Sequence, residues 1–385
     1  MFTRQFVRLL AARLSRNLPF INVVLGPRQV GKSTGVAELI RSYQGEVVSV
    51  SADTTPPPTP QWLESNWLRA RSLGECLLVV DEVQKIPDWS SVVKRLYDQD
   101  RPTGKLKVVL LGSASLGLQR GLTESLAGRY EIVRVPHWDM RECRELFGWD
   151  SEKYLRFGGY PAAGLLADDI DRWQLFMRDS IVEPVLGRDI RDYARVEKPA
   201  LFRQCFELVT RYPAQVVSFN KLLGQLQEGG NASTMRYYLE LFAGAFLIKM
   251  LPAYTASPIV EKRSSPKIIP LCPALCHTFT SPRRLEDDLA WRGRVLEAAI
   301  GAKLSEAELP LSYWSKGKFE VDYILSLDDT LVAIEVKSSY ARSARGVELF
   351  IREYPAARTL TIDASNFEEL LTATDARAWL RGRIR

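Results

Sequence analysis

The octapeptide at residues 26–33 has the composition and spacing of a phosphate-binding loop. It reads Gly-Pro-Arg-Gln-Val-Gly-Lys-Ser and follows the apolar run 20–25. A buried strand, a glycine-rich turn and a helix over 34–43 point backbone N–H groups at one place, which suits the phosphates of a nucleotide. The motif predicts that the chain binds ATP, with the Lys32 ammonium beside the β- and γ-phosphates and the Ser33 hydroxyl as a ligand of Mg²⁺. The predicted nucleotide-binding residues are Gly26, Pro27, Arg28, Gln29, Val30, Gly31, Lys32, Ser33 and Thr34.

A second, acidic element is expected to complete this site. Residues 76–80 are continuously apolar and are followed by Asp81 and Glu82. An acidic residue at the carboxyl end of a core strand predicts Asp81 as a further Mg²⁺ ligand, and Glu82 is suited to activate a water for attack on the γ-phosphate. A P-loop kinase needs no such glutamate, because its acceptor is the substrate. The apolar strand 107–111 leads to Ser113, which predicts a hydroxyl next to the γ-phosphate.

Residues 281–385 contain a second set of side chains that could do chemistry. Glu297 lies in an apolar helix-like run, and Asp322 and Glu335 lie on two alternating strands joined by a short turn. Period two puts Glu335 and Lys337 on one strand face. Asp322 and Glu335 are predicted to bind one or two Mg²⁺ ions, with Lys337 orienting or activating a water that attacks a phosphodiester. A Glu-x-Lys pair is also common on solvated hairpins, and a domain of this kind can bind without cleaving.

Residues 196–280 predict three short helices followed by two strands, the layout of a winged helix-turn-helix. The third helix, over 232–246, has polar residues near its start that could enter a DNA groove, and the loop between the strands is basic. Lys267 is expected in the same polar loop. A winged helix that docks on protein is the alternative, because a fold does not determine a function. The predicted DNA-contacting residues are Thr234, Arg236, Tyr237, Lys262 and Arg263.

Composition and charge limit the class of protein. The 385 residues exceed one ordinary domain, and a content of 46% hydrophobic and 25% charged residues is typical of soluble globular proteins. The formal net charge of +6 permits nucleic acid as a partner without requiring it. Five scattered cysteines do not make a disulfide scaffold, which favours the cytoplasm. Because no apolar run is long enough to span a bilayer, no membrane partner is expected.

The order of these elements resembles the core of an AAA+ ATPase. A strand, the phosphate loop, the Asp-Glu strand, a polar-tipped strand, a helix ending at Arg129 and a last strand follow one another as in that family. The resemblance implies that Arg129 is a finger that reaches the γ-phosphate of a neighbouring subunit, and therefore a homo-oligomeric ring, a hexamer. An arginine that caps a helix end is the alternative. Residues 141–195, with a long helix over 169–193, would form a lid over the nucleotide.

A narrower resemblance rests on the amino-acid sequences of four segments. Residues 26–33, 81–89, 124–129 and 157–161 are similar to a prokaryotic family in which an AAA+ ATPase continues into a C-terminal region of unassigned function. The four candidate catalytic residues of the C-terminal region stand in an order that resembles the PD-(D/E)xK nuclease fold. This order is more specific than the Glu-x-Lys pair alone.

These patterns together predict an α/β protein of four domains. They are a P-loop AAA+ core with a parallel sheet flanked by helices (1–140), a helical lid (141–195), a winged helix (196–280) and an α/β PD-(D/E)xK-like domain (281–385). The predicted function is ATP hydrolysis coupled to binding, remodelling or translocation of DNA, with metal-dependent cleavage left open. The rival interpretation is a nucleotide-controlled switch or signalling scaffold whose C-terminal modules bind protein.

Overall fold

The computed structural model describes residues 3–16, 18–112, 115–225, 231–255, 264–337 and 345–384. The chain forms two compact units. The first comprises residues 1–136 and 188–194, and the second comprises 137–187 and 195–385. The range 141–195, which the sequence suggested as a lid, is divided: residues 188–194 belong to the first unit with the phosphate loop, and the rest belongs to the second.

The first unit is built on a five-stranded parallel β-sheet. Strands β1 and β3 are buried over almost their whole length. Their sequences are continuously apolar because helices cover both faces of a parallel sheet, so that every side chain of such a strand is buried. The predicted α/β core with a parallel sheet flanked by helices is confirmed. The strands are β1 (Ile21–Leu25), β2 (Glu46–Ser51), β3 (Cys76–Asp81), β4 (Leu106–Gly112) and β5 (Tyr130–Arg134), in the spatial order β2-β3-β4-β1-β5.

Helices precede and connect these strands. The N-terminal helix buries Phe6, Leu10 and Leu14, so the amphipathic start of the chain packs as part of this unit. The helix after β2 begins at Pro60, where a backbone N–H is not needed. The Thr59 hydroxyl accepts the backbone N–H of Trp62 in its first turn. The helices are α1 (Gln5–Ser15), α2 (Lys32–Ser42), α3 (Pro60–Ser72), α4 (Trp89–Asp100) and α5 (Ser115–Ser125).

The segment 188–194 packs in the first unit although it lies far along the chain. The Arg28 guanidinium of the phosphate loop donates to the Asp189 carboxylate, with Nη1 2.5 Å from Oδ1. The Tyr193 hydroxyl donates to the backbone oxygen of Gln84 over 3.3 Å. These two contacts hold the segment against the loop and against the turn that follows β3.

Residues 137–187 of the second unit are helical. A capping box opens the first of these helices: Asp139 Oδ1 accepts the Glu142 N–H at 2.8 Å, and the Glu142 side chain accepts the Asp139 N–H. The other Asp139 oxygen accepts a hydrogen bond from the buried Lys303 ammonium at 2.9 Å. This ion pair ties the helix to the C-terminal part of the same unit. The helices are α6 (Met140–Phe147), α7 (Ser151–Phe157), α8 (Pro161–Gly164) and α9 (Ile170–Phe176).

The long helix expected over 169–193 is interrupted. Helix α9 ends at Phe176, and two π-helical stretches follow, Met177–Val182 and Val185–Asp189. A π turn contains one residue more than an α turn and rotates the following side chains around the axis. The predicted helix-like stretch is helical from Ile170 to Asp189. Its π turns were not predicted, because hydrophobic periodicity does not distinguish a π turn from an α turn over so few residues.

Among the described residues of 195–270 are three helices and a small antiparallel sheet. The third helix is capped by Asn231, whose Oδ1 accepts the Thr234 N–H at 2.8 Å. It packs on the first helix through Phe202 and Phe242, whose ring centroids are 4.6 Å apart. The elements are α10 (Pro199–Thr210), β6 (Gln215–Val216), α11 (Phe219–Leu223), α12 (Ala232–Gly244), β7 (Ile248–Leu251) and β8 (Lys267–Pro270), with the strands in the order β6-β8-β7.

The C-terminal part of the second unit is a four-stranded sheet with helices. Strands β9, β10 and β11 are antiparallel neighbours, and β12 runs parallel to β11. Short helices α13 (Pro273–His277) and α14 (Arg284–Asp287) precede the long helix α15 (Leu289–Ser305). The remaining elements are β9 (Leu311–Lys316), β10 (Phe319–Leu327), β11 (Thr330–Val336), α16 (Arg345–Glu353), β12 (Arg358–Ile362), α17 (Phe367–Thr372) and α18 (Ala376–Arg383), with the strand order β12-β11-β10-β9.

Lys267 does not lie in a solvated loop. It is the first residue of β8, and its side chain is completely buried. The sequence suggested a polar loop because other basic residues lie nearby in the chain. That expectation was wrong, because the acidic partners of Lys267 come from α15 and β10, which are distant in sequence. Polarity along the chain does not reveal a partner that folding brings from far away.

Gly346→Ala and Gly382→Ala should change stability in opposite directions. An added Cβ at Gly346 would lie 2.0 Å from the backbone oxygen of Glu320 on β10. We expect this substitution to lower the free energy of unfolding of the second unit by about 1–3 kcal/mol through overpacking. Gly382 has no heavy atom within 4 Å of its Cβ position. Alanine there should raise the free energy of unfolding by about 0.5–1 kcal/mol, because alanine favours the helix more than glycine does.

Denaturant unfolding of the full chain measures both variants, and Gly382→Ala is the matched control for Gly346→Ala. Equal stability of the two would contradict the close packing of α16 on β10.

Candidate functional site

The phosphate loop joins β1 to α2, and its backbone is shaped by two glycines. A Cβ at Gly26 would lie 2.1 Å from the backbone oxygen of Val135, so the loop can leave the sheet here only without a side chain. Gly31 has φ 87°, in the left-handed region that glycine favours, and α2 begins at the next residue. The loop therefore ends at a helix N-terminus, where backbone N–H groups can bind an anion.

The Lys32 side chain points back along the loop. Its ammonium donates to the carbonyls of Gly26 and Pro27, with Nζ–O distances of 3.0 and 2.5 Å. Burial lowers the pKa of Lys32 to about 8, although the nearby Glu82 and Asp81 carboxylates oppose that change. A buried ammonium held only by neutral carbonyls favours an added anion, which is the role expected of it toward the nucleotide phosphates.

The other predicted nucleotide-binding residues occupy the loop and the first turn of α2. Arg4 donates to the Val30 carbonyl at 2.7 Å, which braces the middle of the loop. Gln29 has φ 58°, a left-handed conformation that is uncommon for a residue with a side chain. Thr34 is exposed at the start of α2. Arg28 is engaged by Asp189, a partner that the sequence did not suggest.

Ser33 and Asp81 are brought together from different parts of the chain. The Ser33 hydroxyl donates to Asp81 Oδ2 over 2.7 Å. Burial raises the pKa of Asp81, and the hydrogen bond from Ser33 opposes that rise. A hydroxyl and a carboxylate beside a phosphate loop are oxygen ligands of the kind that Mg²⁺ prefers. The donor set at this edge of the sheet fits a magnesium ion bound with a nucleotide.

Glu82 lies directly after β3, in a left-handed conformation with φ 54°. Its backbone N–H donates to Asp81 Oδ1 at 2.9 Å, and its carboxylate accepts the Gln84 amide at 2.5 Å. Gln84 is buried, and a Cβ at Gly112 on β4 would lie 2.3 Å from its side-chain oxygen. Gln84 therefore orients Glu82 from within the sheet edge, a role that sequence reasoning missed. Ser113, predicted beside the γ-phosphate, lies outside the described residues.

Arg129 lies at the opposite end of the sheet from the phosphate loop. It precedes β5, whose first residue pairs with Ile21 at the start of β1, whereas the loop follows the end of β1. The length of β1, roughly 16 Å for a strand of this size, separates the two. The guanidinium donates two hydrogen bonds to Asp98 on α4, at 2.7 and 2.9 Å. Arg129 is therefore not brought to the nucleotide site of its own chain.

A carboxylate cluster lies in the second unit. Glu297 on α15 and two residues of β10, Glu320 and Asp322, have carboxylate oxygens within 4.8 Å of one another. The Lys267 ammonium lies among them, at 2.5, 2.8 and 3.6 Å from oxygens of Glu297, Glu320 and Asp322. Glu320 was missed by sequence reasoning, although its position two residues before Asp322 on a strand was a usable signal. Nothing local to Lys267 predicts its position.

Burial and charge act in opposite directions in this cluster. Burial opposes the positive charge of Lys267, but the carboxylates of Glu297, Asp322 and Glu320 outweigh it and raise the pKa of Lys267 well above its ordinary value. Burial, together with the charge of Asp322, raises the pKa of Glu297 to about 8 against the attraction of Lys267. We infer an ammonium that stays protonated and shares its charge among acidic groups that compete for it.

The predicted nuclease set is only partly assembled. Glu297 and Asp322 lie in the cluster, and Asp322 Oδ2 also accepts the Val336 N–H at 2.7 Å. Glu335 lies on β11, where its backbone pairs with β12, and among the described residues it is not a member of the acidic group that could hold a metal. Lys337 follows the end of β11, and its N–H donates to the Ile362 backbone oxygen at 2.8 Å. The three carboxylates of the cluster could hold a metal ion by their spacing, but the Lys267 ammonium lies among them.

The described candidate DNA contacts all lie on α12. The Thr234 hydroxyl donates to Asn231 Oδ1 at 3.0 Å, as part of the helix cap. Arg236 is about half exposed and pairs with Glu240 at 3.1 Å. The Tyr237 hydroxyl donates to the Arg195 backbone oxygen at 3.3 Å. The other two candidates, Lys262 and Arg263, lie outside the described residues.

Among the helices described, none combines the length and hydropathy that a bilayer-spanning helix requires.

Three family models match successive parts of the chain. Residues 19–144 match an AAA domain. Residues 148–285 match a domain of unknown function, DUF8612, and residues 292–372 match another, DUF4143. The AAA match covers the sheet that carries the phosphate loop, Asp81 and Glu82, and it identifies this part of the chain as a P-loop ATPase.

Several known proteins are similar to the chain. A Walker-type ATPase of Pyrococcus abyssi is 16% identical with a TM-score of 0.45, covering 72% of this chain and 96% of that one. RuvB of Thermotoga maritima is 16% identical with a TM-score of 0.33, covering 64% and 87%. Uncharacterized proteins of Mycobacterium bovis and Mycobacterium tuberculosis are each 30% identical over 352 residues, which cover 87% of this chain and 75% of theirs. The chain belongs to the family of these mycobacterial proteins, and its AAA domain makes it an ATPase.

Proposed function

We propose that this ATPase acts on DNA, with ATP hydrolysis in the first unit and DNA contact in the second. The observation that carries the hydrolytic part is the hydrogen bond between Ser33 and Asp81, with Glu82 directly after it. A P-loop hydroxyl, an acidic strand end and a glutamate make a site for transfer of a phosphoryl group to water.

The residues of the first unit have distinct roles in this proposal. The N–H groups of the loop and the Lys32 ammonium bind and orient the phosphates. Ser33 and Asp81 would hold Mg²⁺, which neutralises phosphate charge when bound. Glu82, held by Gln84, accepts a proton from the attacking water. The strained backbone at Glu82 supports this role, because left-handed conformations of residues with side chains concentrate at functional sites.

Arg129 is proposed to act on the site of a neighbouring subunit. Its position at the far end of the sheet excludes a role in its own site, and an arginine that stabilises phosphoryl transfer can come from another chain. The Asp98 carboxylate holds the guanidinium in one orientation at the surface. A ring, with six subunits as the expected number, would bring Arg129 of one subunit to the loop of the next.

DNA contact is proposed for residues 196–280, read as a winged helix. The order of helices and strands and the antiparallel sheet β6-β8-β7 support that reading. Arg236 on the exposed side of α12 and the basic residues Lys262 and Arg263 would contact phosphates. The formal net charge of +6 favours an anionic partner. We propose no metal-dependent cleavage, because the Lys267 ammonium lies among the carboxylates that a metal ion would need.

A nucleotide-controlled switch whose second unit binds protein is the second candidate. One observation favours it: Glu240 pairs with Arg236 and reduces the positive charge of the face that would meet DNA. A nearly neutral helix face is suited to a protein partner. The two candidates differ in whether DNA changes the rate of ATP hydrolysis.

Lys32→Ala and Glu82→Gln should separate nucleotide binding from hydrolysis. Lys32→Ala removes the ammonium that binds the phosphates, so tight ATP binding and turnover should both be lost. Glu82→Gln keeps the shape but removes the proton acceptor, so ATP binding should persist while turnover falls by about a hundredfold or more. Equilibrium binding and steady-state phosphate release measure the two quantities. Lys105→Ala, at an exposed lysine, is the control, and wild-type turnover in Glu82→Gln would refute the role of Glu82.

Mixing two inactive variants tests the role of Arg129 between subunits. Arg129→Ala keeps an intact phosphate loop, and Lys32→Ala keeps an intact arginine, so a mixture should recover part of the activity that each lacks. Turnover of the wild type should also rise with protein concentration. Arg101→Ala, an exposed arginine at the end of α4, should behave as the wild type. A strictly monomeric ATPase by light scattering, with no recovery at any ratio, would rule out the finger.

Charge reversal at Arg236, Lys262 and Arg263 tests DNA contact and separates the two candidate functions. DNA should stimulate ATP turnover of the wild type, and the triple glutamate variant should lose both stimulation and binding. The logarithmic salt dependence of DNA binding should fall by about one unit for each lost phosphate contact. Reversal of Arg69, Arg101 and Lys105 in the first unit makes the same change in net charge and is the control. An unchanged salt dependence, with no DNA stimulation in the wild type, would favour the protein-binding switch.

A further inference from the structure

Lys267 is a fully buried lysine at the centre of three carboxylates. It enters from β8, whereas the carboxylates come from α15 and β10. Its side chain has no exposed area, and those of Glu297 and Asp322 are only 8% and 11% exposed. A charge this deep in a protein is retained only where opposite charges surround it.

Three oxygens lie within 3.2 Å of the ammonium nitrogen, and two of them accept hydrogen bonds from it. Nζ lies 2.5 Å from Glu297 Oε1 and donates to Glu320 Oε1 at 2.8 Å. It also donates to the backbone oxygen of Asp322 at 3.2 Å. A lysine ammonium has three N–H donors and no acceptor, so it needs oxygens of this kind around it when it is buried. The Tyr323 ring lies beside it, with its centroid 5.1 Å from Nζ.

The ammonium lies where a divalent cation would have to bind. A hard cation needs carboxylate oxygens at about 2.0–2.6 Å, and the oxygens that converge here already contact Nζ. Asp322 has its second oxygen turned toward β11, where it accepts the Val336 N–H at 2.7 Å. A metal ion would have to displace the ammonium and break this hydrogen bond as well.

We propose that the Lys267 ammonium replaces a divalent cation in this cluster, so that the C-terminal sheet holds no catalytic metal and cleaves no phosphodiester. The lysine instead fastens β8, and with it the small sheet of residues 215–270, to α15 and β10 within the second unit. The charge that a nuclease would use for chemistry serves here as a structural link. This inference does not depend on whether the chain binds DNA.

The full chain and three variants test the proposal by thermal unfolding in EDTA and in Mn²⁺ without nucleotide. Lys267→Ala removes the charge and opens the space, so the melting temperature of the second unit should fall by roughly 10 °C in EDTA. Saturating Mn²⁺ should then raise it by roughly 5 °C, because the freed carboxylates bind the ion. The wild type should show no such shift in this unit. Lys267→Met, which loses the charge but fills the space, should recover much less.

Lys303→Ala is the matched control. Lys303 is another buried lysine of the same unit, paired with Asp139 and Glu306 at 2.9 Å each. Its loss should lower the melting temperature without rescue by Mn²⁺, since two carboxylates form a poorer site than three. Equal responses of Lys267→Ala and Lys303→Ala to Mn²⁺ would overturn the proposal.

Two measurements on the wild type keep the proposal testable even if Lys267→Ala does not fold. Electron paramagnetic resonance with a slowly hydrolysed ATP analogue should count one Mn²⁺ per chain, at the phosphate loop. Single-stranded, double-stranded and branched DNA should all stay intact in Mg²⁺ or Mn²⁺. A second bound Mn²⁺ that disappears in Asp322→Asn, or metal-dependent cleavage that disappears with it, would show that the cluster binds metal despite Lys267.

Discussion

The nucleotide site depends on one constraint, the parallel register of three neighbouring strands. Leu25 at the end of β1 pairs with Gly112 at the end of β4, and β3 pairs with β4 on the other side. Because all three strands run the same way, their carboxyl ends meet at one edge of the sheet. The hydrogen bond between Ser33 and Asp81 joins residues 48 positions apart and exists only in that register.

The buried lysines Lys32, Lys267 and Lys303 differ in the groups that surround their ammonium groups, and this difference separates a ligand-binding role from a structural one. Lys32 is held by backbone carbonyls, and burial lowers its pKa, so an anion beside it is favoured. Lys267 and Lys303 are held by carboxylates, which raise the pKa of both although burial opposes the charge. The first therefore suits a phosphate ligand. The other two already have carboxylate partners and link elements of the second unit.

The two units differ in the groups that surround their buried charges. The first unit has a site whose buried ammonium donates to backbone carbonyls and whose glutamate is held in a strained backbone conformation. In the second unit, the acidic cluster has a cation of the chain itself, Lys267, among its three carboxylates. At the far end of the sheet, Arg129 forms an ion pair with Asp98 on α4.

Sequence by itself determined what depends on short-range pattern. The phosphate loop consists of eight contiguous residues, and its two glycines are required by close packing and by a left-handed backbone conformation. Apolar strands that end in Asp81 or Gly112 predict a parallel core. The core fold and the ATPase activity could therefore be predicted from the sequence. The helices of residues 199–244 follow from hydrophobic periodicity and the Asn231 cap. Only the tertiary structure revealed Gln84 against Glu82, Asp189 against Arg28, and Lys267 among Glu297, Glu320 and Asp322. Most of these contacts join residues that lie on different elements. Gln84 is close to Glu82 in sequence, but its side chain lies against Gly112 on the neighbouring strand β4. No local pattern encodes such pairs, because burial and charge balance are properties of the assembled unit and not of a segment.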